Sequence, residues 1–309
     1  MPSPLTQFIK LVSPSCHVFS QVTCRAPWGL VESDLRYTSF SFLRSGQCWA
    51  ELPGQAPFLL KEGELLLLPY GTAHKMMSDP DIPCDHVDDI FGGKSHEEVE
   101  AMAIGGDGPV CQLICGYLDF GPLQYFGQNA VFKGLPEVLV LDTLHHTRLE
   151  NLLLWIYQEN GQPQSGSDIA VSHLLELLLL ELFRSLDQVE LELGWLKAMS
   201  DPRLAPVISC IQNSYQKDWR LTELADVAAL SKTAFSSRFK KVTGSSALEF
   251  LRQWRCLVAA KQLVEQYDSV QEIAQSVGFQ STDVFIRNFR LLHQLTPGQY
   301  RQKHQLNRC

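Results

Sequence analysis

The sequence predicts an α+β chain of two domains: an N-terminal β-barrel followed by a helical pair, then an all-α C-terminal domain. Three observations predict it. The chain has 309 residues, 45% of them apolar, which is enough for about two hydrophobic cores. Its charge is divided: Ser200–Cys309 holds 15 Lys and Arg against 9 Asp and Glu, whereas Met1–Met199 holds 11 against 25. The net charge of −8 therefore hides a basic third, suited to a polyanion, joined to an acidic remainder that repels one. Finally, the hydrophobic pattern changes from short strand-like runs to helical spacing near Pro136. The domains are expected at 1–195 and 200–309.

In the first domain, about Gly29 to Phe120 reads as β-rich: Tyr37–Leu43, Cys48–Leu52, Phe58–Leu60, Leu65–Leu68 and Cys111–Phe120 are short apolar runs separated by Gly, Pro and acidic turns. Strands at this spacing indicate a sandwich or barrel. Ser78–Pro109, rich in Pro, Gly and Asp and without periodicity, reads as a long mobile loop. Beyond Pro136, Thr143–Glu159 and Asp168–Leu186 read as helices. The second carries Leu and Ile at i, i+3 and i+4 so densely that more than one face must be buried. Such a pair either covers its own barrel or also packs on a second copy, and a homodimer is expected. His173, Glu176, Glu181 and Arg184 interrupt its apolar run, so it is amphipathic and not a membrane span. Nine cysteines at irregular spacing do not form a secreted disulfide framework, and no basic-then-apolar leader opens the chain. A cytoplasmic protein is expected, without a membrane partner.

The C-terminal domain repeats a pattern. Glu223-Leu224-Ala225 opens one unit, Leu230 closes its turn, and Ser231 caps a helix bearing Phe235 and Phe239. Glu272-Ile273-Ala274 opens another, Gly278-Phe279 makes its turn, and Ser281 caps a helix bearing Phe285 and Phe289. A small residue in the first helix, a tight turn and apolar anchors in the second are what a helix-turn-helix needs. Ser supplies the N-cap acceptor, and phenylalanines four apart share one face. Gly278 suits a positive-φ turn; Ala229 stands in its place in the first unit, so that turn is expected to differ. Ala247–Gln266 reads as one linking helix with Leu248, Leu251, Trp254, Val258 and Leu263 on its buried stripe.

Opposite the phenylalanines, the second helices are polar. The first presents Lys232, Thr233, Ser236, Ser237 and Lys240; the second presents Ser281, Thr282, Asp283, Ile286, Arg287 and Arg290. Residues near the start of such a helix are placed to meet base edges, while Lys240, Lys241 and Arg290 are placed for phosphates. The pattern implies double-stranded DNA as partner, with the first unit giving more of the base readout and the second more of the backbone grip. These residues, with the closing Thr296-Pro297-Gly298-Gln299-Tyr300-Arg301, resemble the DNA-binding domain of AraC/XylS-type bacterial regulators over about Asp201–Arg301. The resemblance implies sequence-specific transcription regulation.

Gly63–His74, with Pro69, Gly71 and His74 at fixed spacing, resembles the second motif of cupin barrels. With the Cys115-Gly116-Tyr117 strand, it is similar to the cupin-like sensing domain of some AraC-type regulators, which implies a small-molecule or redox effector. Cupin metal centres take two His and a Glu from a first motif. Gly29–Gly54 contains no His, so a centre would have to recruit His86, His96 or Cys ligands. No metal or cofactor is expected, and His74 is a pocket residue or a satisfied core histidine. Cys111 and Cys115 lie about 13 Å apart along a strand, beyond disulfide reach, but each could face Cys24, Cys48 or Cys84. Cys24, Cys84, Cys111 and Cys115 are thus redox candidates, with inert buried thiols the plainer reading. Two rivals remain: a cupin-type metalloenzyme with an appended DNA-binding domain, and an architectural protein whose first domain only dimerises.

Overall fold

The computed structural model describes residues 3–11, 15–35, 37–119, 134–143, 146–186 and 194–305. In chain order these form α1 (Pro4–Leu11), β1 (Ser15–Arg25), β2 (Gly29–Glu32), β3 (Thr38–Ser45), β4 (Gln47–Glu51), β5 (Phe58–Lys61), β6 (Glu64–Leu68), β7 (His74–Met77) and β8 (Asp85–His86). Then come α2 (Val87–Phe91), α3 (His96–Ala101), β9 (Ala103–Gly105), β10 (Val110–Asp119), β11 (Leu139–Asp142), α4 (Thr147–Gly161) and α5 (Ser167–Ser185). The rest is helical: α6 (Trp195–Met199), α7 (Ala205–Asn213), α8 (Leu221–Val227), α9 (Lys232–Thr243), α10 (Ala247–Glu265), α11 (Val270–Ser276), α12 (Thr282–His293) and α13 (Pro297–Gln305).

Contacts gather these elements into two compact units. One runs from β1 to α5; the other joins α1 to the helices from α6 onward. The first is the expected β domain, but its hydrogen bonds do not close one ring. They form a six-stranded sheet, β11-β6-β3-β10-β1-β9, and a five-stranded sheet, β5-β4-β7-β2-β8. Both are mixed, because β9 runs parallel to β1 and β8 parallel to β2 while the remaining pairs are antiparallel. The core holds Val22, Trp28, Leu43, Cys48, Leu60 and Leu66. Leu65–Leu68 are buried without alternation, as expected of a strand covered on both faces. The Pro69-Tyr70-Gly71 turn is sterically fixed: Gly71 has φ +65°, and a Cβ there would stand 2.3 Å from the Tyr37 carbonyl oxygen.

Three expectations are corrected here. Ser78–Pro109 is not one long loop. It carries β8, α2, α3 and β9, with Ser95 and Glu98 closing a reciprocal capping box on α3. The β-rich region begins well before Gly29, at β1, whose Ser, Gln, Thr and Arg residues hide its alternation. Leu139–Asp142, past the change of pattern expected near Pro136 and before the first expected helix, is still a strand and pairs with β6 at the sheet edge. Phe120 lies outside the described residues. The helices α4 and α5 pack on each other across a short turn, and both touch β1.

In the helical unit, α10 packs on α7, α8 and α9 and also on α11, α12 and α13. Its burial is wider than one stripe: Phe250, Cys256, Leu257, Ala259 and Ala260 are buried, while Leu248 and Val258 are only half-buried. A helix held between two subdomains must bury two faces. The N-terminal helix α1 docks here as well, with Phe8 5.0 Å from the Trp195 ring and Gln7 Nε2 donating to Asn213 Oδ1 at 2.9 Å.

Candidate nucleic-acid interface and barrel cavity

The two helix-turn-helix units share their construction. In the first, the Leu230 amide donates to the Ala225 carbonyl at 3.0 Å; in the second, the Phe279 amide donates to the Ala274 carbonyl at 2.9 Å. Ala229 has φ +52° and Gly278 φ +94°, so each turn carries one residue at positive φ. The expected difference at Ala229 is therefore corrected: alanine too sits in the left-handed region, at a local cost of about 1–2 kcal/mol, its amide donating to the Asp226 carbonyl at 3.0 Å. The units differ instead by Gln280, one extra residue before the second cap. Ser231 Oγ accepts from the Ala234 amide at 3.3 Å and Ser281 Oγ from the Val284 amide at 3.5 Å. Phe235 and Phe239 meet edge to face at 5.6 Å, Phe285 and Phe289 at 5.4 Å, and all four are fully buried.

With the phenylalanines inward, the predicted polar residues turn outward. Lys232, Thr233, Ser237 and Lys240 are exposed on α9; Ser236 is half-buried, its hydroxyl donating to the Lys232 carbonyl at 2.8 Å. At α12, Ser281, Asp283, Arg287 and Arg290 are exposed and Thr282 is half-buried. Asp283, Arg287 and Arg290 border an open groove of about 440 Å³ that ends at Thr296. Sequence reasoning passed over Arg238 on α9, whose guanidinium grips Asp201 Oδ2 at 2.8 Å through both Nε and Nη2. A basic residue on the reading helix was the available signal.

Arg255 was also missed, hidden in the apolar stripe of α10. It is buried, and its Nε donates to the Tyr215 carbonyl at 2.6 Å and its Nη2 to the Lys217 carbonyl at 2.8 Å. Gly278 approaches the same segment: a Cβ on it would stand 2.7 Å from the Gln216 carbonyl oxygen. The loop before α8 is thereby tied to the turn of the second unit.

The β unit encloses a cavity of about 390 Å³ between its sheets. His74 and Cys115 line it; Cys24, Cys84 and Cys111 do not. Burial pushes the His74 imidazole below its ordinary pKa, opposed by its Nδ1 hydrogen bond to the Thr72 carbonyl at 3.1 Å. Opposite His74 in the β2–β7 register stands Glu32, which the sequence reading did not single out. It is buried, accepting from the Tyr117 hydroxyl at 2.7 Å and from the Ser33 amide at 3.2 Å. Burial, then the Glu32 hydrogen bond, raises the Tyr117 pKa.

A cupin family profile matches residues 3–187, and a helix-turn-helix domain profile matches 224–303. A putative AraC-like transcription regulator of Streptomyces lividans is 29% identical over 97% of this chain and 98% of its own. An uncharacterized HTH-type transcriptional regulator of Haemophilus influenzae is 31% identical over 88% of each chain. The chain belongs to the AraC-like transcription regulators. The RCS-specific transcriptional activator RclR of Escherichia coli K12 is 25% identical over 97% of each chain. The regulator's basic helical unit is thus its DNA-binding domain, and its β unit is the family's cupin domain.

Among the described residues no three His, Cys, Asp or Glu side chains gather to hold an ion. His86 Nε2 bonds to Ser33 Oγ at 2.9 Å, and the His96 side chain lies outside the described residues. Cys24 and Cys111 face each other in the β1–β10 register, buried, with Cys48 hydrogen-bonded to Cys111. Burial raises Cys24, the Cys111 hydrogen bond and then burial raise Cys48, and burial lifts Cys115 to about 11. Cys84 is half-buried at Gly29 and is also raised by burial. No described helix is long and apolar enough to cross a membrane.

Proposed function

We propose that α9 and α12 are the two reading helices and that the barrel cavity binds the signal that regulates them. The observation that carries the first part is the shared geometry of the units: matching phenylalanine pairs fix each helix so that its polar face is free. Lys232, Thr233, Ser236, Ser237 and Lys240 would meet one groove segment, and Ser281, Thr282, Asp283, Arg287 and Arg290 the next. Short polar side chains near the start of α9 suit base edges, while Arg287, Arg290 and Lys240 suit phosphates. Sensing then resides in 1–195 and DNA binding in 200–309.

A signal acts only through different affinity for two states of the protein. The cavity supports a small molecule over a redox signal, because the thiols facing one another are buried and burial raises the pKa of Cys24. We read the protein as cytoplasmic, without catalysis of its own, and as a homodimer. Trp155, Ile169 and Leu177 support the last point, leaving apolar surface exposed on α4 and α5. Mapping of bound DNA across the source genome, followed by binding assays on the recovered duplexes, tests the reading. Recovery of a recurring sequence motif supports it; uniform, sequence-independent occupancy overturns it.

A further inference from the structure

The barrel cavity carries more information than its volume. Its walls are mainly aliphatic and aromatic, including Leu30, Phe40, Met76 and Leu113. Four of its polar groups are neighbours: Glu32 pairs with His74 and accepts from the Tyr117 hydroxyl, and Tyr117 pairs with Ser39. Glu32 is buried there, and among the described residues its hydrogen-bond partners are a hydroxyl and a backbone amide, both uncharged. His74 lies across from it; with Nδ1 donating to the Thr72 carbonyl, its Nε2 is left as an acceptor. Ser39 is 4% exposed and lines the same cavity, yet its hydroxyl has no hydrogen-bond partner. A buried hydroxyl without a partner and a buried carboxylate without a cation are each costly unless something else completes them. On the outer wall, the exposed Lys94 ammonium donates to the Ile90 carbonyl, and Asp88 beside it carries the opposite charge.

We propose that this cavity recognises an organic amine: an ammonium group seated between Glu32 and the Ser39 hydroxyl, with an apolar body against Phe40, Met76 and Leu113. The inference rests on the reading of the barrel as the sensing site and narrows it to one ligand charge. An anionic ligand seated at Glu32 would bring a second negative charge beside it. A neutral apolar ligand would leave the Ser39 hydroxyl and Glu32 as they stand. The volume of about 390 Å³ suits a small molecule carrying one ring or a short branched chain.

Calorimetric titration of the full-length chain with three matched probes tests this: phenethylamine, 2-phenylethanol and phenylacetate. The expected result is amine binding at least about tenfold tighter than alcohol or acid, and at least about tenfold weaker in Glu32→Gln. The alcohol should bind that variant within about twofold of the wild type. Ser39→Ala, which removes a hydroxyl without a partner, should leave thermal stability unchanged while weakening the amine several-fold. Equal or tighter binding of the acid or alcohol overturns the amine assignment and leaves the cavity as a ligand site. Amine affinity unchanged in both variants also overturns it. Failure of all three probes to bind at millimolar concentration overturns the cavity reading together with the amine.

Discussion

Arg255 lies over the Phe279 ring, its guanidinium carbon 5.7 Å from the ring centroid. The same side chain, in the helix that joins the two units, caps the Tyr215 and Lys217 carbonyls of the loop before the first unit. One planar cation therefore fixes the first unit's entry against the second unit's turn. Lysine cannot reproduce that fork. Arg255→Lys should cost about 1–3 kcal/mol, the penalty of losing charge-assisted hydrogen bonds made by a buried guanidinium, measured as a lower urea midpoint. DNA affinity should fall alike on all duplexes, since no base contact is removed. A variant as stable as the wild type would detach Arg255 from this role.

The two turns give a paired prediction. Gly278→Ala places a Cβ 2.7 Å from the Gln216 carbonyl oxygen at φ +94° and should destabilise by about 1–3 kcal/mol. Ala229→Gly removes left-handed strain but adds freedom to the unfolded chain, so its effect should lie within about 0.5 kcal/mol of zero. Denaturant melts of the two variants decide it; equal losses would mean the turns are not sterically distinct.

Much of this was legible in the sequence. The paired phenylalanines, the Ser caps and Gly278 are local signals, and the phenylalanines and caps recur fifty residues on. What escaped depends on distant partners. Arg255 looks like an ordinary surface charge until residues 215–217 fold beneath it. Glu32 looks like the polar end of a strand until Tyr117, 85 positions away, reaches it. Ser15–Arg25 and Ser78–Pro109 failed as local readings because tertiary pairing organises residues of weak β or helical preference.

His293 should make the helical unit sensitive to acid. It is 2% exposed, stacked 4.3 Å from the Phe289 ring, and burial depresses its pKa to about 3 from an ordinary 6.5. A hydrogen bond to the Cys256 backbone opposes the shift without reversing it. The unfolded chain then takes up the proton more readily than the folded one. Stability is complete above about pH 6.5 and falls toward pH 3, at up to about 1.4 kcal/mol per pH unit. His293→Phe should flatten that loss between pH 6.5 and 5, above the carboxylate range. An unchanged slope in urea melts at the two pH values would exclude His293 as its source.

The facing thiols of Cys24 and Cys111 are opposite each other on adjacent strands, a separation a disulfide can span. Burial nevertheless keeps an oxidant from both sulfurs and raises the pKa of Cys24. Peroxide treatment of the native regulator should leave both alkylatable only after denaturation, as read by peptide mass mapping. A Cys24–Cys111 disulfide formed under native conditions would make the barrel a cysteine switch.

The central claim is that α9 specifies sequence and α12 grips the backbone. Fluorescence anisotropy on one genome-recovered duplex and one scrambled duplex, across a salt series, tests it most directly. Thr233→Ala with Ser237→Ala should cost about 1–3 kcal/mol on the recovered duplex and little on the scrambled one. Arg290→Ala should weaken both alike and reduce the salt slope by about one. If the α9 substitutions leave discrimination between the two duplexes unchanged, α9 does not read the site and the account is wrong.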